Sequence, residues 1–126
     1  MDQGLKFSKT HEWVKVEGNI ATIGLTDFAQ HELGDIVYAE PEPEGTVVEI
    51  EGIIGTVESV KAASDLYSPV SGEIVEANHD IEDEPEMINK KPLEFWFVKI
   101  EMADPSELDA LLDKDAYDAF CKEEQA

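Results

Sequence analysis

The sequence lacks arginine altogether and contains a single cysteine, Cys121. Without arginine the chain has no planar guanidinium group, the side chain that most often binds phosphates and carboxylates through paired hydrogen bonds. One cysteine excludes a disulfide within the chain and a cysteine-rich zinc site. No apolar run approaches the roughly 20 residues of a transmembrane helix, and the first residues resemble neither a signal peptide nor a transit peptide. We therefore expect a chain that neither spans a membrane nor depends on disulfides.

Acidic residues dominate the charged positions. Thirty aspartates and glutamates against nine lysines give a formal net charge of −21. Such a surface repels phosphate backbones and anionic lipid headgroups, so we expect neither nucleic acid nor a membrane as a partner. The 126 residues, 42% of them hydrophobic, fit one ordinary domain over 1–126, and we expect a monomer.

Short apolar runs with frequent turn residues predict a mostly β fold. Residues 13–16 and 20–23 alternate apolar and polar side chains around a turn, which predicts a hairpin. The acidic run at 80–84 lacks the glycine and the ligand spacing of a calcium-binding loop and is interpreted as a solvated loop. Further strands are predicted at 35–39, 47–50, 53–60, 74–77 and 95–100.

Two segments carry helix-start signals. Thr26 precedes a short helix predicted over 28–33, and Gly34 suits the end of that helix. Asp104, followed by proline and then glutamate, predicts the start of a helical segment over about 104–122. The apolar side of this segment should lie across the sheets.

Catalytic motifs are missing from the sequence. It contains no glycine-rich phosphate loop, nucleophile elbow or zinc-protease helix, and His11, His31 and His79 are dispersed. Thirty carboxylates guarantee incidental pairs, so a hydrolase that uses two of them is the least favoured hypothesis. We expect no catalytic residue, no metal site and no enzymatic activity.

The most unusual segment is ESVKAASD at residues 58–65. Lys61 is the only lysine between Lys15 and Lys90, and it lies among small residues between two β-runs. An exposed lysine at a hairpin tip is accessible to a modifying enzyme, because the lysine amine must enter the active site of that enzyme. An ordinary solvated turn has the same composition and, from spacing alone, is the more common explanation.

Residues 58–65, followed by YSPVSGE at 67–73, resemble the lipoylation motif of the glycine cleavage system H protein family. The segments HEWV at 11–14, IGLTDFAQ at 23–30 and DPSEL at 104–108 resemble the same family in the same order. The resemblance covers nearly the whole chain. It implies a lipoyl/biotinyl-type sandwich of two small antiparallel sheets, a barrel-sandwich hybrid, with a short internal helix and a C-terminal helical segment.

The resemblance also implies roles for individual residues. Lys61 would carry lipoate in amide linkage, and Glu58 and Gly72 would serve recognition by a lipoate ligase or lipoyl transferase, Gly72 by supplying the turn geometry that orients the hairpin. The protein would be a non-catalytic shuttle that takes an aminomethyl group from the P-protein to the T-protein and electrons to dihydrolipoyl dehydrogenase. Because the loaded arm ends in a cationic amine, we expect Glu12 and Asp65 to line a cleft that holds it.

Several alternatives stay open. A carrier that donates lipoate to other proteins has the same motif, and an unmodified acidic interaction protein fits the charge. A biotin carrier and a 2-oxoacid dehydrogenase lipoyl domain are less favoured, because Val60 and Ala62 replace the methionines of the first and no aspartate precedes Lys61 as in the second. The expected compartment is the prokaryotic cytoplasm, or the mitochondrial matrix if the chain is a trimmed form.

One segment departs from the family pattern. Residues 92–96 run one residue short and lack the glycine that relatives have before the tryptophan. Lys90 and Lys91 beside it form a basic spot on an acidic protein. The sequence therefore does not predict which partner contacts the segment 92–96 makes.

Overall fold

The computed structural model describes residues 5–125, whose strands form two antiparallel sheets. The larger sheet has the order β1-β2-β3-β9-β8-β5, and the smaller has the order β4-β6-β7. The strands are β1 (Lys6–Phe7), β2 (Glu12–Glu17), β3 (Ile20–Leu25), β4 (Ile36–Pro41), β5 (Val47–Val48), β6 (Ile53–Ser59), β7 (Ala63–Tyr67), β8 (Gly72–Ala77) and β9 (Val98–Met102). The mostly β prediction with two antiparallel sheets is confirmed.

The hydrophobic core takes its side chains from both sheets. In the first hairpin, the alternation of apolar and polar residues directs apolar side chains into this core. Val14 on β2 and Ile23 on β3 are directly paired, and both are fully buried. The buried residues from the larger sheet include Val14, Ile23, Ile74 and Ile100, and those from the smaller sheet include Ile54, Val57 and Leu66. The core therefore joins the sheet that carries the β6–β7 hairpin to the larger sheet.

The predicted internal helix is α1 (Asp27–Leu33). The Thr26 hydroxyl accepts a hydrogen bond from the Ala29 N–H at 3.2 Å, as the N-cap pattern indicates. Gly34 ends the helix at φ +82°, in the left-handed region that glycine adopts without strain, and its N–H donates to the Gln30 carbonyl. The chain then enters β4 at Ile36.

Two local expectations between β8 and β9 are wrong. The acidic run predicted as a solvated loop contains α2 (Asp80–Asp83), because Ile81 between the acids is fully buried in the core. A second short helix, α3 (Met87–Lys90), buries Ile88 in the same way. The strand predicted from residue 95 begins only at Val98, because residues 91–95 form a turn closed on the Lys91 carbonyl.

The predicted helical segment over about 104–122 is two helices rather than one. A 3-10 helix covers Pro105–Ala110, with the Asp104 side chain as its cap, and α4 covers Lys114–Gln125. Between them Leu112 exchanges two backbone hydrogen bonds of 2.8 Å with Phe7 of β1, which interrupts the helix. Among the described residues, no helix is long and apolar enough to cross a membrane.

Candidate functional site

Lys61 lies in a tight turn between β6 and β7, residues 59–62, which we call the lysine turn. The Ser59 N–H donates to the Ala62 carbonyl at 2.8 Å, and the Ser59 hydroxyl accepts from the N–H groups of Lys61 and Ala62, both at 3.1 Å. A serine that begins a turn and bonds the backbone beyond it is a common way to fix one conformation. Sequence reasoning missed this role of Ser59, although the residue type signals it. The lysine is exposed at the tip.

The lysine turn rests on the junction between α1 and β4, which we define as residues 32–36. The Val60 N–H donates to the Asp35 carbonyl at 3.0 Å. The Lys61 Nζ donates to the Glu32 carbonyl at 3.0 Å, in the last turn of α1, where unpaired carbonyls favour a cation. The exposed lysine amine therefore has a backbone acceptor at the end of α1.

Glu58 and Asp65 lie on the outer face of the smaller sheet, beside the lysine turn. Glu58 pairs with Ala63 across the β6–β7 ladder, and Asp65 pairs with Thr56. Both carboxylates line a shallow groove of about 480 Å³; Glu58 is exposed and Asp65 is half-buried. The structure thus places Glu58 and Asp65 in one groove, and Lys61 at the tip of the same hairpin without lining that groove.

Glu12 does not share that groove. Its side chain is only 1% exposed, and one carboxylate oxygen accepts hydrogen bonds from the Ser8 and Thr10 hydroxyls. The other oxygen accepts from the Tyr67 N–H at 3.0 Å. Burial and three hydrogen-bond donors enclose the Glu12 carboxylate, which does not line the groove that Asp65 lines, and the role of Glu12 towards the arm stays a prediction. The bond of Glu12 to Tyr67 fixes the strand that carries Asp65.

The buried carboxylate makes a pH-dependent contribution to stability. Burial raises the pKa of Glu12 above its ordinary 4.5, against the opposing effect of its hydrogen bonds. The folded protein therefore binds the proton of the Glu12 carboxyl more tightly than the unfolded chain does. The contribution of Glu12 to the free energy of unfolding is full below the pKa of the unfolded chain, and it declines as the pH rises through the higher pKa of the folded protein. We expect the free energy of unfolding of the wild type, relative to Glu12→Gln, to fall from pH 4.5 towards neutral in urea titrations. A difference that is flat or rises with pH would contradict this assignment.

Gly72 lies in the larger sheet, at the first position of β8, where it pairs with Met102 and Val48. It is buried and offers no surface to a docking enzyme, so its role in recognition stays a prediction that would act through backbone geometry. A Cβ at this position would lie 2.1 Å from the Glu101 carbonyl oxygen. Only glycine lets the β8 and β9 backbones approach this closely.

A cavity of about 820 Å³ lies between α1, α4 and the turn at 91–94. Glu32, whose carbonyl accepts the Lys61 amine, lines this cavity, whereas Lys61 itself does not. The segment that departs from the family pattern forms one wall: the Pro92 carbonyl accepts from the Trp13 indole N–H, and Lys91 pairs with Glu94. The lining residues include Phe7, Phe28, His31, Leu93, Tyr117 and Cys121.

The histidines serve separate local contacts. His11 bonds the Tyr117 hydroxyl and the Glu124 carboxylate, which ties the N-terminal loop to α4. His79 pairs with Glu44 and Glu82 on the surface. Within residues 5–125, no three histidine, cysteine or carboxylate side chains are grouped as a metal site. None of these contacts involves the lysine turn.

The chain is similar to known proteins over almost its full length. Residues 5–124 match the family model described as Glycine cleavage H-protein. Two relatives named glycine cleavage system H protein are 49% identical over 96% of this chain and 97% of the Brevibacillus brevis protein, and 52% identical over 94% of this chain and of the Symbiobacterium thermophilum protein. The crystal structure of a glycine cleavage system H protein from Mycobacterium marinum matches with a TM-score of 0.83 and 27% identity, covering 98% of both chains.

Proposed function

The chain belongs to the glycine cleavage H-protein family, and on that premise we propose that it is a lipoyl-carrying shuttle of the glycine cleavage system. The single observation that supports this most strongly is Lys61, exposed at a braced hairpin tip within the ESVKAASD motif. The protein takes an aminomethyl group from the P-protein to the T-protein and electrons to dihydrolipoyl dehydrogenase. It is the carrier and not a catalyst. Since its named relatives are bacterial, we assign it to the prokaryotic cytoplasm.

The residues around Lys61 suit a lipoyl group. Ala62 and Ala63 follow the lysine and are exposed, so an incoming active site meets only small side chains on that side of the lysine. The cavity of about 820 Å³ that Glu32 lines has aromatic and aliphatic side chains beside charged ones such as Asp27 and Lys91, and its apolar part matches an acyl chain and a dithiolane ring. Lipoate bound at this lysine supplies a disulfide that accepts electrons and the aminomethyl group.

The chain's own residues present and hold the arm. Attachment to one lysine replaces a freely diffusing cofactor by a high effective concentration at each partner in turn. Ser59 fixes the turn, and Glu58, exposed at the end of β6, provides the modifying enzyme with a nearby charge. When the arm lies in the groove of about 480 Å³ rather than in the cavity, Asp65 offers a carboxylate to its cationic end, and Glu12 supports the strand of Asp65 through Tyr67.

Loading by glycine tests this function. Lipoylated protein is mixed with P-protein, pyridoxal phosphate and glycine labelled in its methylene carbon, and the label retained on the protein is measured with the intact mass. We expect label on the lipoylated protein and none on the unmodified protein. Loss of lipoate to an apo lipoyl domain in the presence of a lipoyl transferase, with no glycine-dependent label, would contradict the proposal and favour the lipoate donor.

A further inference from the structure

The place of the lysine turn depends on a short stretch of backbone. Two contacts seat the turn: the Val60 N–H on the Asp35 carbonyl and the Lys61 amine on the Glu32 carbonyl. Glu32 lies in the last turn of α1, and Asp35 lies between the end of α1 and the start of β4. A junction outside regular secondary structure needs side-chain partners for its backbone groups.

Asn89 supplies those partners from α3. Its amide nitrogen donates to the Gly34 carbonyl at 2.9 Å and to the Gln30 side-chain oxygen at 2.8 Å. Its amide oxygen accepts from the Ile36 N–H at 2.8 Å. The orientation of the amide is fixed by these partners, because one is a backbone carbonyl and another a backbone N–H.

The two backbone contacts of Asn89 flank the residue that holds the turn. Gly34 and Ile36 lie directly before and after Asp35, whose carbonyl accepts from Val60. Asn89 is itself half-buried and follows Ile88, which is fully buried in the core. A continuous series of hydrogen bonds therefore runs from Asn89, next to the core residue Ile88, through the junction to the lysine turn.

We propose that Asn89 is a positioning residue for Lys61, which fixes the α1–β4 junction and thereby the orientation in which the lysine amine is presented to the modifying enzyme. The proposal rests on the proposed function, since it assigns part of the same modification site. No other residue type supplies the same contacts at this length. Aspartate keeps the acceptor for Ile36 and loses both donors, and alanine loses all three bonds.

Amide exchange at Val60 and the kinetics of lipoylation test the proposal. In Asn89→Ala we expect the Val60 amide to exchange about tenfold faster than in the wild type, measured by ¹⁵N NMR, because its acceptor is no longer fixed. With lipoate ligase, lipoate and ATP, kcat/KM for the protein should fall roughly tenfold or more, since a displaced amine loses its reacting geometry. Asn89→Asp should likewise speed Val60 exchange and lower kcat/KM. It replaces the alanine variant in the test if that variant does not fold.

Asn78→Ala is the matched control. Asn78 is also half-buried and bonds two backbone groups, the Trp96 carbonyl and the Asp80 N–H, but neither belongs to the junction. This control should leave Val60 exchange and kcat/KM at wild-type values. Equal kcat/KM for the Asn89 variants and the control would overturn the proposal, whatever the change in stability.

The two proposals fail in different ways. If the wild type accepts no lipoate, the proposed function fails, and Val60 exchange alone decides whether Asn89 positions the turn. If the wild type is lipoylated and the Asn89 variants match it in exchange and in kinetics, the function stands and the role of Asn89 is overturned.

Discussion

Lys61→Arg is expected to reduce glycine-dependent release of carbon dioxide to the rate measured without this protein. The assay contains P-protein, lipoate ligase, lipoate, ATP and glycine. The reason is chemical: a guanidinium group stays protonated at any working pH and offers no free amine for acyl transfer. Arginine keeps the positive charge and the length of the side chain, so the loss measures the missing amine rather than a change in folding.

Lys15→Arg is the control for this change. Lys15 is exposed on β2, outside the lysine turn and the junction beneath it, so the same substitution there should leave the rate unchanged. Far-ultraviolet circular dichroism should be the same for both variants and the wild type. Wild-type activity in Lys61→Arg would place the reactive group at another residue and contradict the assignment of the site.

Gly72→Ala is expected to lower the free energy of unfolding by about 3 kcal/mol or more. The added methyl group would lie 2.1 Å from the Glu101 carbonyl oxygen and 2.8 Å from the Ile100 side chain. Backbone atoms of two paired strands cannot move apart without breaking the β8–β9 ladder, so the strain has no local relief. Urea titrations followed by circular dichroism measure the loss.

Gly18→Ala is the control that separates the cost of a steric clash from the cost of an unfavourable backbone conformation. Gly18 lies in the β2–β3 turn at φ +62°, and a Cβ there meets no atom within 4 Å. Its substitution should cost about 1–2 kcal/mol, the ordinary penalty of a left-handed residue. If Gly72→Ala costs no more than Gly18→Ala, the close approach of the β8 and β9 backbones is not the reason that position 72 holds glycine.

Much of the fold follows from local sequence signals. The alternation around Val14 and Ile23 predicts the first hairpin, and the Thr26 cap and Gly34 predict α1, because these features need only neighbouring residues. The helix α2 was missed because the acids at 80–84 mask Ile81, and only the tertiary core shows that this residue is buried. The break at Leu112 has the same origin, since it depends on pairing with β1, about a hundred residues earlier in the chain.

The candidate site likewise has one part that the sequence predicts and one part that it does not. Lys61, Glu58 and Asp65 lie within one motif, so the sequence places them together on a hairpin. The surroundings of Glu12 depend on Tyr67, 55 residues away, and those of the lysine turn depend on Asp35 and Asn89. Hydrogen bonds between distant segments leave no periodic pattern, and the sequence therefore gives no sign of which carboxylate is enclosed or which asparagine holds the junction.

The most direct test of a lipoyl carrier is the intact mass of the wild-type protein, with peptide mapping, after incubation with lipoate ligase, lipoate and ATP. We expect one lipoyl increment, located on Lys61 in the peptide that contains residues 58–65. No increment, or an increment on another lysine, would contradict the central claim, and the former would favour an unmodified acidic interaction protein.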